Sequence, residues 1–515
     1  MSNRFKIIRP IAFILTGLTV TAVIASQNTL TTPRIVIAVA LTIIGAVLLL
    51  LFDKLEMKDT GTVIDPAVKI PFKDLVVATF RKKPYTSVYE GELSESEMAE
   101  NRPGQAFMLQ PIPLILMIFV NLLGVIVRVV FFKFASEDLI SLQYNWHEEL
   151  AGHGLEALAM RGTDFSPLYS AVFALLCQTP LSVQFITKLI PATVDFLLAM
   201  IGLLIFHELK DGKETLKERI AVYSCILFNP LLILNASCWG QFDSVYATFI
   251  FLSVYIILRC TKHRSKYGGD LAMIYMGIAF SLKFQTIFIM PLTLLVWLLQ
   301  KEKILLISQK MWIPVIYFLT CLPSLIMGKP LKELFAFYAG QAGSYNMRLN
   351  VRYPNFYSLV YAINENATER SANIGGTICF AFLLGLFLWL FFRKTKLSET
   401  LILKSSVLIV LTMVFFLPHN RDRYAFTAEM LVIVLAVAEH EYIAYAITTV
   451  AVTLIEYVSF LRYGLDIGGT LDLIFAAARL IVIILIAFDI LKLARLEREK
   501  AMAGRARRTI HGGKQ

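Results

Sequence analysis

Three groups of residues in this chain have types and spacings suited to chemistry. The first lies between Phe134 and Tyr169. Glu137 and Asp138 sit where an apolar run ends. His147, Glu148, Glu149 and His153 follow around Trp146. Asp164 then precedes Ser166-Pro167 and Tyr169, where apolar sequence resumes. A carboxylate fixed just outside an apolar span can take a proton from a polar group while the rest of that molecule stays in hydrocarbon. The second group runs from Asn229-Pro230 to Trp239-Gly-Gln241-Phe-Asp243-Ser244, at a turn between two apolar runs. Membrane insertion needs none of these polar side chains. Asp243 either caps the helix that follows or orients a sugar or a catalytic group.

The third group is cationic. It comprises Lys283 with Gln285, then Arg348 and Arg352 ahead of Pro354-Asn355-Phe356, then His419, Arg421 and Arg423 ahead of Tyr424. Arginine forks match phosphate oxygens, and neighbouring aromatic rings match sugar faces or lipid headgroups. Lys283 stands between two short apolar runs, so it either meets an anion or snorkels to the interface. Arg128 lies inside an apolar run and either snorkels outward or joins the same cations.

Positioning these groups requires a large apolar scaffold. Of 515 residues, 57% are hydrophobic and 17% charged, against about a quarter charged in soluble chains. Apolar runs near 20 residues recur, the length that crosses a roughly 30 Å hydrocarbon core. The expected fold is an all-α polytopic membrane bundle of about 14 transmembrane helices. They are placed near 8–26, 34–52, 112–133, 182–206, 220–237, 243–259, 271–283, 285–299, 312–327, 374–392, 402–418, 424–438, 442–460 and 469–493. The run Pro167–Cys177 is too short to cross. This divides the chain into two N-terminal spans (1–52), a cytoplasmic insert (53–111), a core (112–493) and a basic tail (494–515). The core carries external loops at 134–165, with interfacial helices, and at 328–373.

On this threading one side receives 31 Lys and Arg and the other 9. The positive-inside rule puts both termini in the cytoplasm and the acidic loop outside, across a bacterial plasma membrane. The net charge of +11 is explained by this sidedness, so no nucleic-acid partner is expected. The six cysteines lie in or beside apolar runs without metal-ligand spacing, and neither a metal site nor a cofactor is expected.

Arg348, Arg352, Arg421 and Arg423 are four of the nine cations on the external side, which makes them an anion clamp facing the acidic loop. A carboxylate base, membrane-surface cations and a lipid-facing bundle fit transfer of a sugar from a lipid phosphate. The base deprotonates an acceptor hydroxyl, the oxygen attacks the anomeric carbon, and cations stabilise the departing phosphate.

Asn229-Pro230 followed by WGQFDS resembles bacterial relatives of the GPI mannosyltransferases in the GT-C superfamily. Asp138 with Tyr144, Trp146 and Gly154, then Asp164-Phe-Ser-Pro167-Leu-Tyr169, is similar too. Lys283–Gln285, Pro354-Asn355-Phe356 and the Pro418-His419 to Arg423-Tyr424 segment follow in the same order. The resemblance covers roughly residues 112–460. It implies a GT-C-like bundle, with Asp138 as general base and Glu137 next in line. The implied donor is a polyprenyl-phosphate sugar, and the acceptor is a glycan, glycolipid or protein hydroxyl. The chain departs from that pattern at Ser166, where a second proline is expected, and at Asn420-Arg421-Asp422 before Arg423-Tyr424. The rival expectation is a transporter or flippase for a lipid-linked glycan. Such proteins show paired repeats with ionisable groups at the midplane, and no repeat is evident here.

Overall fold

The computed structural model describes residues 111–160, 165–263, 265–300, 304–344, 349–363, 369–463 and 469–512. The expected spans at 8–26 and 34–52, the insert as far as residue 110, Asp164 and Arg348 lie outside the described residues. The chain forms two compact units, Met1–Leu122 and Leu123–Gln515. Of the first, the described residues are the opening turns of helix α1 (Pro111–Phe131).

The second unit is an all-α polytopic membrane bundle. Among the described residues eight helices are long and apolar enough to cross a bilayer. They are Val183–Leu209, Leu216–Trp239, Asp243–Lys262, Ile307–Ile326, Ala372–Phe392, Glu399–Phe416, Tyr442–Arg462 and Gly469–Leu496. Each falls on one of the expected spans. Four other expected spans, at 112–133, 271–283, 285–299 and 424–438, correspond to shorter apolar helices. The second and third of these meet at Lys283, whose extended backbone (φ −153°, ψ 133°) stops the first of the pair. Pro167–Cys177 is an 11-residue helix, α3, with the Ser166 hydroxyl accepting from Tyr169 N at its start and Pro167 in its first turn.

Helices α4 (Val183–Leu209), α7 (Asp243–Lys262) and α8 (Gly268–Leu282) pack side by side. Helices α14 (Glu399–Phe416), α15 (Phe426–Ala438), α16 (Tyr442–Tyr463) and α17 (Gly469–Gly512) complete the core. Helix α14 is buried along nearly its whole length. Fifteen of its eighteen residues are buried, Lys404 and Ser406 among them. Lys404 pairs with Glu439 and Asp489, and Ser406 Oγ donates to the Ile402 carbonyl at 2.8 Å, which makes their enclosure tolerable.

The segment Leu216–Trp239 is built in three pieces. Helix α5 (Leu216–Leu227) ends at Asn229, whose Oδ1 accepts from Leu231 N at 2.8 Å and restarts the chain as α6 (Pro230–Ile233). A wide π-type turn, Leu234–Trp239, then ends at Gly240 with φ +79°. A left-handed backbone at this point favours glycine.

Arg128 neither snorkels nor joins the external cations. Its side chain is fully enclosed. Nε donates to Asp195 Oδ2 at 2.8 Å, Nη1 to the Gly124 carbonyl at 3.2 Å and Nη2 to the Leu227 carbonyl at 2.9 Å. It therefore ties α1, α4 and α5 together. Removing one partner of a buried pair typically costs about 3–5 kcal/mol, whereas an apolar replacement of both can be neutral. Asp195→Asn is expected to lose a cost of this order in detergent unfolding. Arg128→Met/Asp195→Leu should regain most of it.

Candidate active site

The carboxylate that the acidic loop presents inward is Asp138. Helix α1 ends at Phe131, and an irregular stretch leads to a new helical start at Glu137–Asp138. Asp138 thus sits on a separate helical turn, Leu139–Gln143, continued by α2 (Tyr144–His153), and not on the end of α1. Its Oδ2 accepts from Trp239 Nε1 at 2.7 Å and from Gln241 Nε2 at 3.1 Å. These residues stand 101 and 103 positions away. Glu137 is exposed, and its carbonyl only accepts the Ser141 hydroxyl. Glu148 is exposed on α2 and Glu149 half-exposed.

Two more contacts join the same segments. Ser136 Oγ donates to the Trp239 carbonyl at 2.8 Å and Gln143 Nε2 to the Gly240 carbonyl at 3.2 Å. Trp239 is fully enclosed. Its ring packs on Tyr457 and Phe460 of α16 at 5.2 and 5.0 Å. Its other neighbours are cations: Arg423 Cζ stands 5.0 Å from the ring centre and Arg352 Cζ 6.0 Å.

The two arginine stretches meet through a short parallel pairing of β1 (Asn350–Val351) with β2 (Asn420–Arg421), in register Asn350↔Asn420 and Val351↔Arg421. His419 N donates to the Leu349 carbonyl at 2.8 Å, just ahead of it. Arg352 and His419 both hold left-handed backbone, φ +55° and +62°, an uncommon conformation for residues with a Cβ. Immediately past the pairing, Arg352 Nε comes within 3.3 Å of Asp422 Oδ2. The Arg352 guanidinium also lies 3.6 Å from the centre of the Phe460 ring.

Behind this loop stands Arg479 of α17. It lies 3.8 Å from the centre of the Tyr353 ring, donates to the Pro354 carbonyl at 3.1 Å, and donates to Thr453 Oγ1 at 2.7 Å. Thr453 in turn donates to Glu429. Asp422 is completely enclosed. Burial pushes its carboxyl above the ordinary range, and the guanidiniums of Arg352, Arg423 and Arg421 pull against that shift.

Asp243 organises the remaining cations. It is not the cap of α7, since Phe242 occupies that position and the side chain of Asp243 turns inward. It pairs with Lys283, accepts from Asn235 Nδ2 at 2.7 Å, and lies 4.0 Å from Arg423 Nε. Asn235 also donates to Tyr457 at 3.3 Å. Lys283 therefore meets an anion of the protein itself, with its ammonium 4.8 Å from the Phe242 ring.

The hydrogen-bond account is incomplete on one side. Nε and Nη1 of Arg423 are buried without a hydrogen-bond acceptor, as is Nε of Arg352. Their nearby carboxylates are too far or misaligned to serve. Buried donors are almost always satisfied, and guanidinium donors that converge without acceptors suit an added anion with several oxygens.

No family model matches the chain, and no curated protein matches it significantly.

The structure thus brings Asp138, Trp239, Gln241, Asp243, Lys283, Arg352 and Arg423 into one cluster, with Arg421 on β2 at its edge. Trp146 and Tyr169 stand one layer away. Trp146 packs on Phe165 at 4.6 Å, Phe165 on Tyr169 at 4.7 Å, and Tyr169 stacks on Phe242 at 3.9 Å. Asn355 Oδ1 accepts from Tyr357 N at 2.9 Å at the start of helix α12 (Phe356–Ile363). Gln285 lies on the short helical turn Phe284–Phe288, and Tyr424 packs against Phe288 at 5.9 Å. Sequence reading missed Asp422, Asn235, Tyr457 and Arg479 as members. Asp422 carried a signal, an acid between two arginines. The other three are single polar residues inside apolar runs.

The cluster predicts anion binding. Farnesyl phosphate should raise the melting temperature of the purified protein. Arg423→Gln removes a charge-assisted contact worth about 1.5–3 kcal/mol. Affinity in that variant is expected to fall roughly ten- to a hundredfold. Unchanged affinity would remove Arg423 from the anion site.

Proposed function

We propose that the protein is a GT-C-type glycosyltransferase. It moves a hexose, such as mannose, from a polyprenyl-phosphate donor to an acceptor hydroxyl at the outer membrane surface. One observation supports this above the others: Trp239 donates to Asp138 through its indole N–H and lies beside Arg423 with its ring. A carboxylate and a set of acceptor-poor cations are thereby built on one residue.

In this reading Asp138 takes the proton of the acceptor hydroxyl. The acceptor oxygen forms a bond to the anomeric carbon, and the bond from that carbon to the phosphate oxygen breaks. The electron pair leaves with the polyprenyl phosphate, where Arg423, Arg352 and Lys283 balance the growing charge. Trp239 and Gln241 donate to one oxygen of Asp138, which fixes the carboxylate plane and leaves the other oxygen for the proton. Asp243 and Asp422 hold the cations in place before the donor arrives, so little reorganisation accompanies phosphate departure. The half-buried rings of the aromatic layer, Trp146 and Phe165, suit a sugar face or a prenyl chain.

General-base catalysis contributes roughly 10²–10⁴-fold. Asp138→Asn is expected to lose at least that much release of polyprenyl phosphate, with Glu137→Gln much milder. An active Asp138→Asn enzyme beside an inactive Asp243→Asn one would move the base to Asp243. Movement of intact lipid-linked glycan across vesicles, without phosphate release, would instead favour a flippase.

Sidedness is tested separately. The exposed Glu148 of α2 belongs to the loop assigned outside by the distribution of Lys and Arg. Glu148→Cys is expected to react with a membrane-impermeant thiol reagent in intact cells. Labelling only after lysis would put the cluster on the cytoplasmic face.

A further inference from the structure

Lys188 is a fully enclosed lysine in the second turn of α4. Among the described residues no carboxylate stands within ion-pair distance of it. Its ammonium instead donates to three backbone carbonyls, those of Phe131 at 3.1 Å, Phe132 at 3.2 Å and Phe134 at 2.5 Å. Burying an ammonium without compensation is costly. So is burying the unsatisfied carbonyls at a helix end. Here the ammonium gains three acceptors and the Phe132 and Phe134 carbonyls gain a donor, while the Phe131 carbonyl also accepts from Phe134 N at 3.0 Å. The cation sits at the negative end of the α1 dipole.

The place of this lysine gives it more than a capping role. The Phe131 carbonyl ends α1, and those of Phe132 and Phe134 belong to the irregular stretch that leads into Ser136 and Asp138. On its other side α4, which carries Lys188, packs against the turn Leu234–Trp239 that leads to the partners of Asp138. A Cβ built on Gly240 would lie 3.6 Å from Thr187 Oγ1 and 3.8 Å from Lys188 Cγ. Gly240 separates Trp239 from Gln241, the two donors to the carboxylate. Lys188 therefore stands between the two halves of the hydrogen-bonded assembly, on the helix packed against one and hydrogen-bonded to the other.

We infer that Lys188 is the positioning residue for Asp138: it fixes the end of α1 against the Gly240 turn and so sets where the carboxylate stands. The inference rests on the glycosyl-transfer reading above. A misplacement of about 1 Å at a reacting group can cost on the order of 10²-fold. A residue acting this way affects turnover through Asp138 and leaves donor binding alone.

The test uses the full chain in lipid nanodiscs, with Lys188→Gln, which keeps N–H donors without the charge, and Lys188→Met, which keeps neither. Three measurements are made: release of polyprenyl phosphate, the same in an Asp138→Asn background, and backbone hydrogen exchange. Turnover is expected to fall roughly tenfold in Lys188→Gln and a hundredfold in Lys188→Met, with donor KM within about twofold of wild type. Added to Asp138→Asn, either change should cost little more, because a carboxylate already lost cannot be misplaced. Exchange should quicken in residues 132–143 and stay unchanged in α7 and α14.

Unchanged turnover overturns the inference, as does a loss that multiplies in full on top of Asp138→Asn. Faster exchange throughout the bundle, or failure of both variants to yield monodisperse protein, assigns Lys188 to the stability of the fold and overturns it too. A wild-type protein that releases no polyprenyl phosphate counts against the transfer reading. The exchange result alone then decides whether Lys188 holds the segment.

Discussion

The cluster depends on the hydrogen bond from the Trp239 indole to Asp138. A carboxylate beside hydrocarbon needs donors, and flexible surface donors would leave its direction undefined. An indole has one N–H in the plane of a large rigid ring, so clamping the ring aims the donor. Tyr457 and Phe460 clamp that ring from α16. The left-handed turn at Gly240 lets Gln241 reach the same oxygen two residues later. Helix α16 and the wide turn Leu234–Trp239 together determine where a carboxylate over a hundred residues earlier can point.

Among the described residues most buried cations have a partner of their own. Arg128 has Asp195, Lys404 has Glu439 and Asp489, Lys283 has Asp243, and Lys188 has three carbonyls. Each arrangement keeps a cation from standing alone in a medium where that is costly. The exception is the pair Arg352 and Arg423. Their carboxylate neighbours lie at 3.3 to 4.0 Å, and the guanidinium donors are left without aligned acceptors. Two guanidiniums without aligned acceptors beside a fixed carboxylate are the feature on which the proposed anion site rests.

The legible part of the sequence was that where burial and chemistry give different patterns. An apolar run near 20 residues has one physical meaning, so the helices fell where the runs lie. Asp138 and the Trp239–Asp243 stretch stood out because nothing about insertion asks for them. Asn355 is ambiguous for a related reason: an asparagine ahead of a helix is wanted both by ligands and by the helix's first N–H groups, and its Oδ1 serves the second use. Arg128 could not be resolved because its partner Asp195 lies 67 residues away on another helix. Pairing between distant helices leaves no local periodicity to read. The same holds for Lys188, whose acceptors are backbone carbonyls that every residue possesses.

The position of Asp138 also shows why a single continuous helix would serve this cluster badly. At 1.5 Å per residue and 100° per step, a helix continued past Phe131 would fix both the height and the direction of Asp138 by the orientation of α1 alone. The chain instead stops, turns and starts again at Glu137. That break frees the carboxylate to be placed by its partners, Ser136 on the Trp239 carbonyl and Gln143 on the Gly240 carbonyl. It also leaves carbonyls without the partners that a continuing helix would give them. The break therefore calls for donors. A lysine long enough to reach three of those carbonyls from α4 meets that need, and in doing so couples the end of α1 to the turn that receives Asp138.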